Sequence, residues 1–425
     1  MKAFIQLFDF RYIVGGRQIW LYLYMLIYLV YAFTSNLVDP LLALSILLFA
    51  FAPLKPAFLM FVFYLLWEFV TTFSFGITGI MIMQVLMVAK IIIQKEKIKR
   101  LKGRIERKSL LLQIGLLIYV AIMGGVSYLM TGSLTGIGFI FKVLITFYAI
   151  TYLYSEKAYN DLIKAILQVL MFSALIATIY GFYHDTAIDR WISGIGTVSQ
   201  LYGTLGTTRM AFFYLTSLAY FLYYVGNAAI RVGGIILFTT LTLMTVSLSA
   251  FGLYFIIIGI YLISIGSFKK AIVGGGVVIL VATLTFPLWS KIDVVQPILS
   301  RIEFSADAYK GGDMNAATSG RANIQNGYME NLEMSTPFTI IFGNARSAMS
   351  STGIEMNSHN SYIDILFYFG ITGLLLFVLY HGKKILLQRR QSYFYPVLTL
   401  KVILLLGASS VSIITSSYFI VLIFI

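Results

Sequence analysis

Apolar runs long enough to cross a bilayer recur from one end of the chain to the other, separated by short polar or basic breaks. Uninterrupted apolar stretches of about 18 or more residues are the pattern of membrane-spanning helices. The pattern predicts spans at 18–35, 38–54, 56–73, 76–94, 109–130, 134–155, 159–181, 209–227, 231–247, 249–267, 271–289, 361–380, 394–409 and 411–425. The chain therefore reads as an all-α polytopic membrane protein with about 12–14 transmembrane helices, several short enough to be tilted or re-entrant. Two segments between spans, 182–208 and 290–360, are too long for simple connections. Long loops in a compact protein are usually functional or disordered. The second contains Tyr309, Tyr328, Ile340, Ile341 and Phe342, too apolar for a plain linker, and is expected to fold as a cap. Three parts follow: an N-terminal helical bundle (1–289), a large loop (290–360) and C-terminal helices (361–425).

Composition strengthens this reading. Hydrophobic residues make up 59% and charged residues 11%, against roughly 25% charged in soluble domains. A net charge of +14 could mean a nucleic-acid partner, but in a membrane chain basic residues collect in cytoplasmic loops. With the N-terminus inside, "KEKIKRLKGRIERK" (95–108), "SFKK" (267–270) and "HGKKILLQRRQ" (381–391) all fall inside, and both long segments fall outside. The bilayer thus accounts for the charge, and no nucleic acid is implied. No small-x-small cleavage motif follows "MKAFIQLFDFRYIVGGRQ", so an uncleaved first span is expected. Lys142, Lys401 and Glu68 fall at or near membrane depth, where they either pair or snorkel. Gly252, Gly259 and Gly266 recur every seven residues, as close helix packing requires. The chain has no cysteine, which excludes disulfides, thiolate catalysis and Cys-ligated metals.

The chemistry concentrates in the outer loop. "TSGRANIQNGYMENLEMS" (318–335) predicts a short helix capped by Thr318 or Ser319, with Arg321 in its first turn. A cation there opposes the helix dipole. Beside free backbone N–H groups it suits an anion such as phosphate, and the alternative is pairing with Glu303 or Asp307. His359 precedes Ser361-x-x-Asp364, which resembles a capping box at the start of an outer helix. It either binds backbone at the interface or serves chemistry. Arg209, at the outer end of a span, either snorkels or serves function, and Arg301 and Arg346 are further cations of the cap. Only His184 and His381 could join His359 around a metal, and His381 is assigned to the other side, so no metal site is expected.

"SHNSYIDILFYFGITGLLLF" resembles the signature of the O-antigen polymerase/O-antigen ligase superfamily. In that signature a His-Asn pair opens a transmembrane helix, followed by an aromatic residue and Gly-hydrophobic-x-Gly, here His359, Asn360, Tyr362, Gly370 and Gly373. "SGR" with Arg321 and "IIFGNA" around Gly343 match further features of the loop. The chain departs from many relatives at Ala250, where they carry Arg, and at "GTTRMA" around Arg209. The resemblance implies a GT-C-like glycosyltransferase of the bacterial plasma membrane with its site facing outside. Its substrate would be an undecaprenyl-diphosphate-linked oligosaccharide, with no cofactor and with a chain-length regulator as candidate partner. It implies catalysis by His359 and Arg321, with Arg209, Arg301, Arg346, Asn360 and Tyr362 around the diphosphate and glycan. Polymerase is the favoured activity, ligation to lipid A core the alternative. A transporter would instead place ionisable residues deep in the spans and show internal repeats. A scaffold protein would give His359 and Arg321 no joint role.

Overall fold

The computed structural model describes residues 6–34, 38–67, 79–93, 104–131, 135–152, 158–184, 207–245, 247–266, 296–318, 321–343, 360–409 and 422–425. All regular structure among these is helical. The helices are α1 (Gln6–Ala32, opening with short 3-10 and α turns), α2 (Val38–Phe51), α3 (Leu54–Tyr64), α4 (Gly79–Ile93), α5 (Arg104–Thr131), α6 (Thr135–Tyr152) and α7 (Tyr159–His184). They continue with α8 (Thr207–Tyr224), α9 (Ala228–Met244), α10 (Leu248–Ser264), α11 (Gln296–Lys310), α12 (Met314–Ala317), α13 (Arg321–Glu333), α14 (Pro337–Phe342), α15 (Ser361–Gln388) and α16 (Phe394–Gly407). Among the described residues three stretches, Gln6–Ala32, Tyr159–Tyr183 and Ser361–Gln388, are long and apolar enough to cross a membrane. Shorter apolar helices surround them. Every apolar run between 18 and 267 carries a helix, near its predicted limits except at 56–73, where the helix ends at Tyr64 and 68–73 lies outside the described residues. The runs at 271–289 and 410–421 lie outside the described residues, as does Glu68.

The core forms around α7, which packs on α1, α3 and α8. Leu162, Ile166, Leu170 and Ala174 are fully buried, as expected of a helix apolar on all sides. Its polar groups bond across to neighbours. Thr178 shares a hydrogen bond with the Tyr214 hydroxyl at 2.7 Å, and Ser173 donates to the Phe63 carbonyl at 2.8 Å. Such contacts hold helices together where lipid removes the hydrophobic drive. Outside, the bundle is apolar too: Ile93, Leu111, Leu129 and Leu375 are exposed. A chain apolar both within and without needs a non-aqueous surround.

Two expectations change. Among the described residues a Cβ on Gly252 or Gly259 would meet nothing within 4 Å, so none of them makes a close helix contact with the seven-residue glycine repeat. Close approach occurs instead at Gly234, under the Phe221 ring, and at Gly79, under Tyr64 and Leu42. More consequential, α15 does not end near 380 in a solvated basic loop. It runs to Gln388 and buries His381, Lys384 and Gln388. Residues 422–425 contribute to this, because their carbonyls receive the ammonium groups of Lys384 and Lys401. The Lys384 ammonium donates to the Phe424 carbonyl and to the Tyr380 hydroxyl (3.3 Å). Lys401 donates to Leu422 and Ile423, both at 2.8 Å, and the Tyr159 hydroxyl to Ile425 at 2.6 Å. Lys401 is therefore anchored in the interior rather than snorkelling, while Lys142 is half-buried on α6.

Candidate functional site

The candidate site assembles at the start of α15. Asn360 is its N-cap: the side-chain oxygen accepts from Tyr362 N (3.0 Å) and Ile363 N (3.4 Å). The cap thus sits one residue before the position the Ser361-x-x-Asp364 pattern predicts. Asp364 is buried, and its own N–H bonds the Asn360 carbonyl at 2.9 Å. The first turn is pinned to the end of α16. Ser361 N donates to the Ala408 carbonyl (2.6 Å) and the Tyr362 hydroxyl to the Leu405 carbonyl (2.6 Å). The start of α8 reaches the same corner, since a Cβ on Gly407 would sit 3.3 Å from the Phe212 ring.

The loop helix α13 docks on this corner through a small core of its own. Tyr328 and Leu332 are buried against Phe367 and Tyr368, with the Tyr328 and Phe367 rings edge-on at 5.0 Å. Burial pushes the Tyr328 phenol above its ordinary value, so it stays a neutral hydrogen-bonding group. Thr318 caps α13 as expected, its hydroxyl accepting from Ala322 N at 3.0 Å. The neighbouring N–H groups of Arg321 and Asn323 reach Thr318 O and Asn315 Oδ1, both at 3.4 Å. The expectation of free N–H groups beside Arg321 is therefore not met.

A second contact fixes the loop. After α14 the chain passes through Gly343 (φ 90°), and α15 kinks at Gly370 (φ 63°, ψ −172°). The two glycines face each other's strands of backbone. A Cβ on Gly343 would overlap the Tyr368 carbonyl, and one on Gly370 the Ile341 carbonyl. Left-handed backbone in such close approach needs glycine. The Tyr119 hydroxyl of α5 lies 2.8 Å from the Phe342 carbonyl and 2.7 Å from that of Phe369. One proton serves two acceptors, so the hydroxyl bridges loop and kink. Gly373 makes room for it: a Cβ there would approach the Tyr119 ring at 3.2 Å. Both glycines of "GITG" thus have a geometric role.

Of the predicted site residues, Arg321 is half-buried at the first position of α13, Asn360 is the cap, and Tyr362 is tied to α16. Arg209 lies in the first turn of α8 and Arg301 on α11, with their side chains outside the described residues. His359 and Arg346 also lie outside them, His359 directly preceding Asn360. The structure brings together the starts of α8 and α15 and the body of α13. Tyr119, one of 29 tyrosines, was not singled out in the sequence, and Tyr328 was marked only as one of the apolar residues of the loop. Among the described residues no group of His, Asp and Glu side chains could hold a metal.

Near the other end of α15 lies a buried polar group that the apolar pattern hides. Besides Lys384 and Lys401 it holds His381, packed on the Phe377 ring at 4.4 Å. Gln113 donates to the Tyr380 hydroxyl at 3.2 Å. No protein-family model, curated protein or solved structure matches the chain.

Proposed function

We propose that the chain is a polytopic, GT-C-like membrane glycosyltransferase acting at the outer face of a bacterial plasma membrane. In this reading it polymerises a polysaccharide from undecaprenyl-diphosphate-linked repeat units. The observation that carries the proposal is the docking of α13, which bears Arg321, on the turn of α15 that follows His359 and Asn360. The two motifs of the family resemblance are about 40 residues apart in sequence, yet their helices share one core.

The reaction breaks the bond between the anomeric carbon of the growing glycan and its diphosphate. It forms a bond from that carbon to a hydroxyl of the acceptor unit, whose proton leaves. Charge develops on the departing diphosphate and needs fixed positive donors. Arg321, with Arg209, Arg301 and Arg346, supplies them, Arg321 by its guanidinium rather than by the helix end. His359 takes the acceptor proton as general base or donates to the diphosphate. Attack from the face opposite the diphosphate inverts the anomeric centre. Asn360 and Tyr362 hold the turn that presents His359.

Polymer formation by membranes expressing each variant at equal level tests the scheme. Loss of an electrostatic donor costs on the order of 10² to 10³ in rate, and loss of a general base about 10² to 10⁴. Arg321→Ala and His359→Ala are therefore expected to leave little polymer. Arg321→Lys keeps the charge without the planar fork and should fall between Ala and wild type. Wild-type polymer from both Arg321 variants would remove the diphosphate role.

One observation favours a second reading. His381, Lys384 and Lys401 are ionisable and buried in the helical interior, as a transporter of lipid-linked glycan requires. The bonds of the two lysines to residues 422–425 also serve simple anchoring. Export of unpolymerised lipid-linked units that is lost in Lys384→Met, with no polymer formed by wild type, would select the transporter.

A further inference from the structure

We infer that α14, within the loop otherwise read as an aqueous cap, is a membrane-embedded hook whose apolar face contacts the acyl chains of the leaflet on the Ser361 side. This stands apart from glycosyl transfer and needs only that α15 crosses the bilayer. The depth of α14 follows from its clasp. Gly343 lies against Tyr368 and Ile341 against Gly370, so α14 sits beside residues 368–370 of α15 and not above its first turn. The exposed Lys383 marks the far end of the lipid-facing stretch of α15. About 20 helical residues fill a hydrocarbon core of roughly 30 Å, so that core begins near Ile363. Gly370 then lies about 10 Å inside it, at ~1.5 Å per residue.

At that depth α14 presents Phe338, 70% exposed, together with Ile341 and Phe342. The Phe338 and Phe342 rings stack one turn apart at 4.8 Å, forming one apolar ridge. The ridge is attached at Gly370, and the next residues of α15, Ile371, Leu375, Val378 and Leu379, are exposed and apolar as well. The two surfaces are thus neighbours within about two turns of α15, so the medium that covers Leu375 extends to the ridge. The backbone at this depth is also provided for. Thr336 caps α14 by accepting from Thr339 N, Pro337 lacks an N–H, and Tyr119 serves the Phe342 carbonyl. Irregular backbone is tolerated within a bilayer only where protein satisfies it in this way.

The cysteine-free chain allows a direct test on the full protein in phosphatidylcholine–phosphatidylglycerol vesicles. A nitroxide is attached to Phe338→Cys, and its collisions with molecular oxygen, which partitions into acyl chains, are compared with those of a water-soluble nickel chelate. Leu375→Cys is the lipid reference and the exposed Lys310→Cys, at the end of α11, the aqueous one. The hook predicts an oxygen-to-nickel ratio at 338 matching that at 375 and severalfold above that at 310. A ratio matching 310 would return α14 to an aqueous cap. Shielding from both probes would put a protein surface on the ridge, and would equally overturn the proposal. If the Phe338 variant does not insert, Ile341→Cys reads the same face.

Discussion

At the scale of single residues, the junction between loop and span depends on Gly343, Gly370 and Tyr119. Gly370 has φ 63° and ψ −172°, a region essentially confined to glycine, where another residue costs on the order of 1–3 kcal/mol. The overlap of an added Cβ with the Ile341 carbonyl adds to that cost. Tyr119→Phe removes one donor from two carbonyls, worth about 1 kcal/mol. Thermal unfolding of purified protein should therefore rank wild type above Tyr119→Phe, and both well above Gly370→Ala. Equal midpoints for all three would mean that the clasp contributes nothing to stability. The glycines were visible in the sequence as part of a motif, but their geometry was not. Tyr119 was not visible at all, because its acceptors lie 223 and 250 residues away in the chain.

At the scale of elements, apolar length located the helices well, since a stretch that must satisfy its own backbone in lipid has few conformations besides the α-helix. The same criterion failed at the end of α15. "HGKK" reads as a solvated break, yet Phe377, His381, Lys384 and Gln388 are buried along one face, where Lys384 meets the Phe424 carbonyl. No local pattern reveals a partner that distant. The start of α15 separates two roles for Asn360. Its side-chain oxygen caps the helix, a contribution of about 1 kcal/mol, while its amide hydrogens are what a glycan or diphosphate would use. Asn360→Asp keeps the capping oxygen and removes the donor; Asn360→Ala removes both. If Asn360 serves only as a cap, Asp should retain the wild-type melting point and polymer yield. If it also binds substrate, Asp should retain the melting point and lose polymer. Destabilisation by Asp as great as by Ala would mean that the cap is not what holds this turn.

At the scale of the whole molecule, the orientation in the membrane rests on charge, and burial changes which charges count. Lys384 was assigned to a cytoplasmic loop, but it is buried and cannot act in the positive-inside bias. Lys383, Arg389 and Arg390 at the same end of α15 remain exposed. That end therefore keeps a cluster of accessible cations, whereas α11, α13 and α14, which precede α15, carry acids and bases in near balance. Basic residues near span ends set orientation and acids contribute little, so the expectation of an outside loop and an inside 95–108 keeps its basis in charge. This matters for the chemistry, because Arg321 and His359 share whichever compartment holds α13. In cysteine-free protein, single cysteines at Gly103 and Lys310 should react from opposite sides of sealed inverted vesicles. Position 103 should react with an impermeant maleimide at once, and position 310 only after the vesicles are opened. Immediate reaction of both would place α11 in the cytoplasm. The proposed diphosphate chemistry would then face the wrong side of the membrane, whatever the variants of Arg321 do.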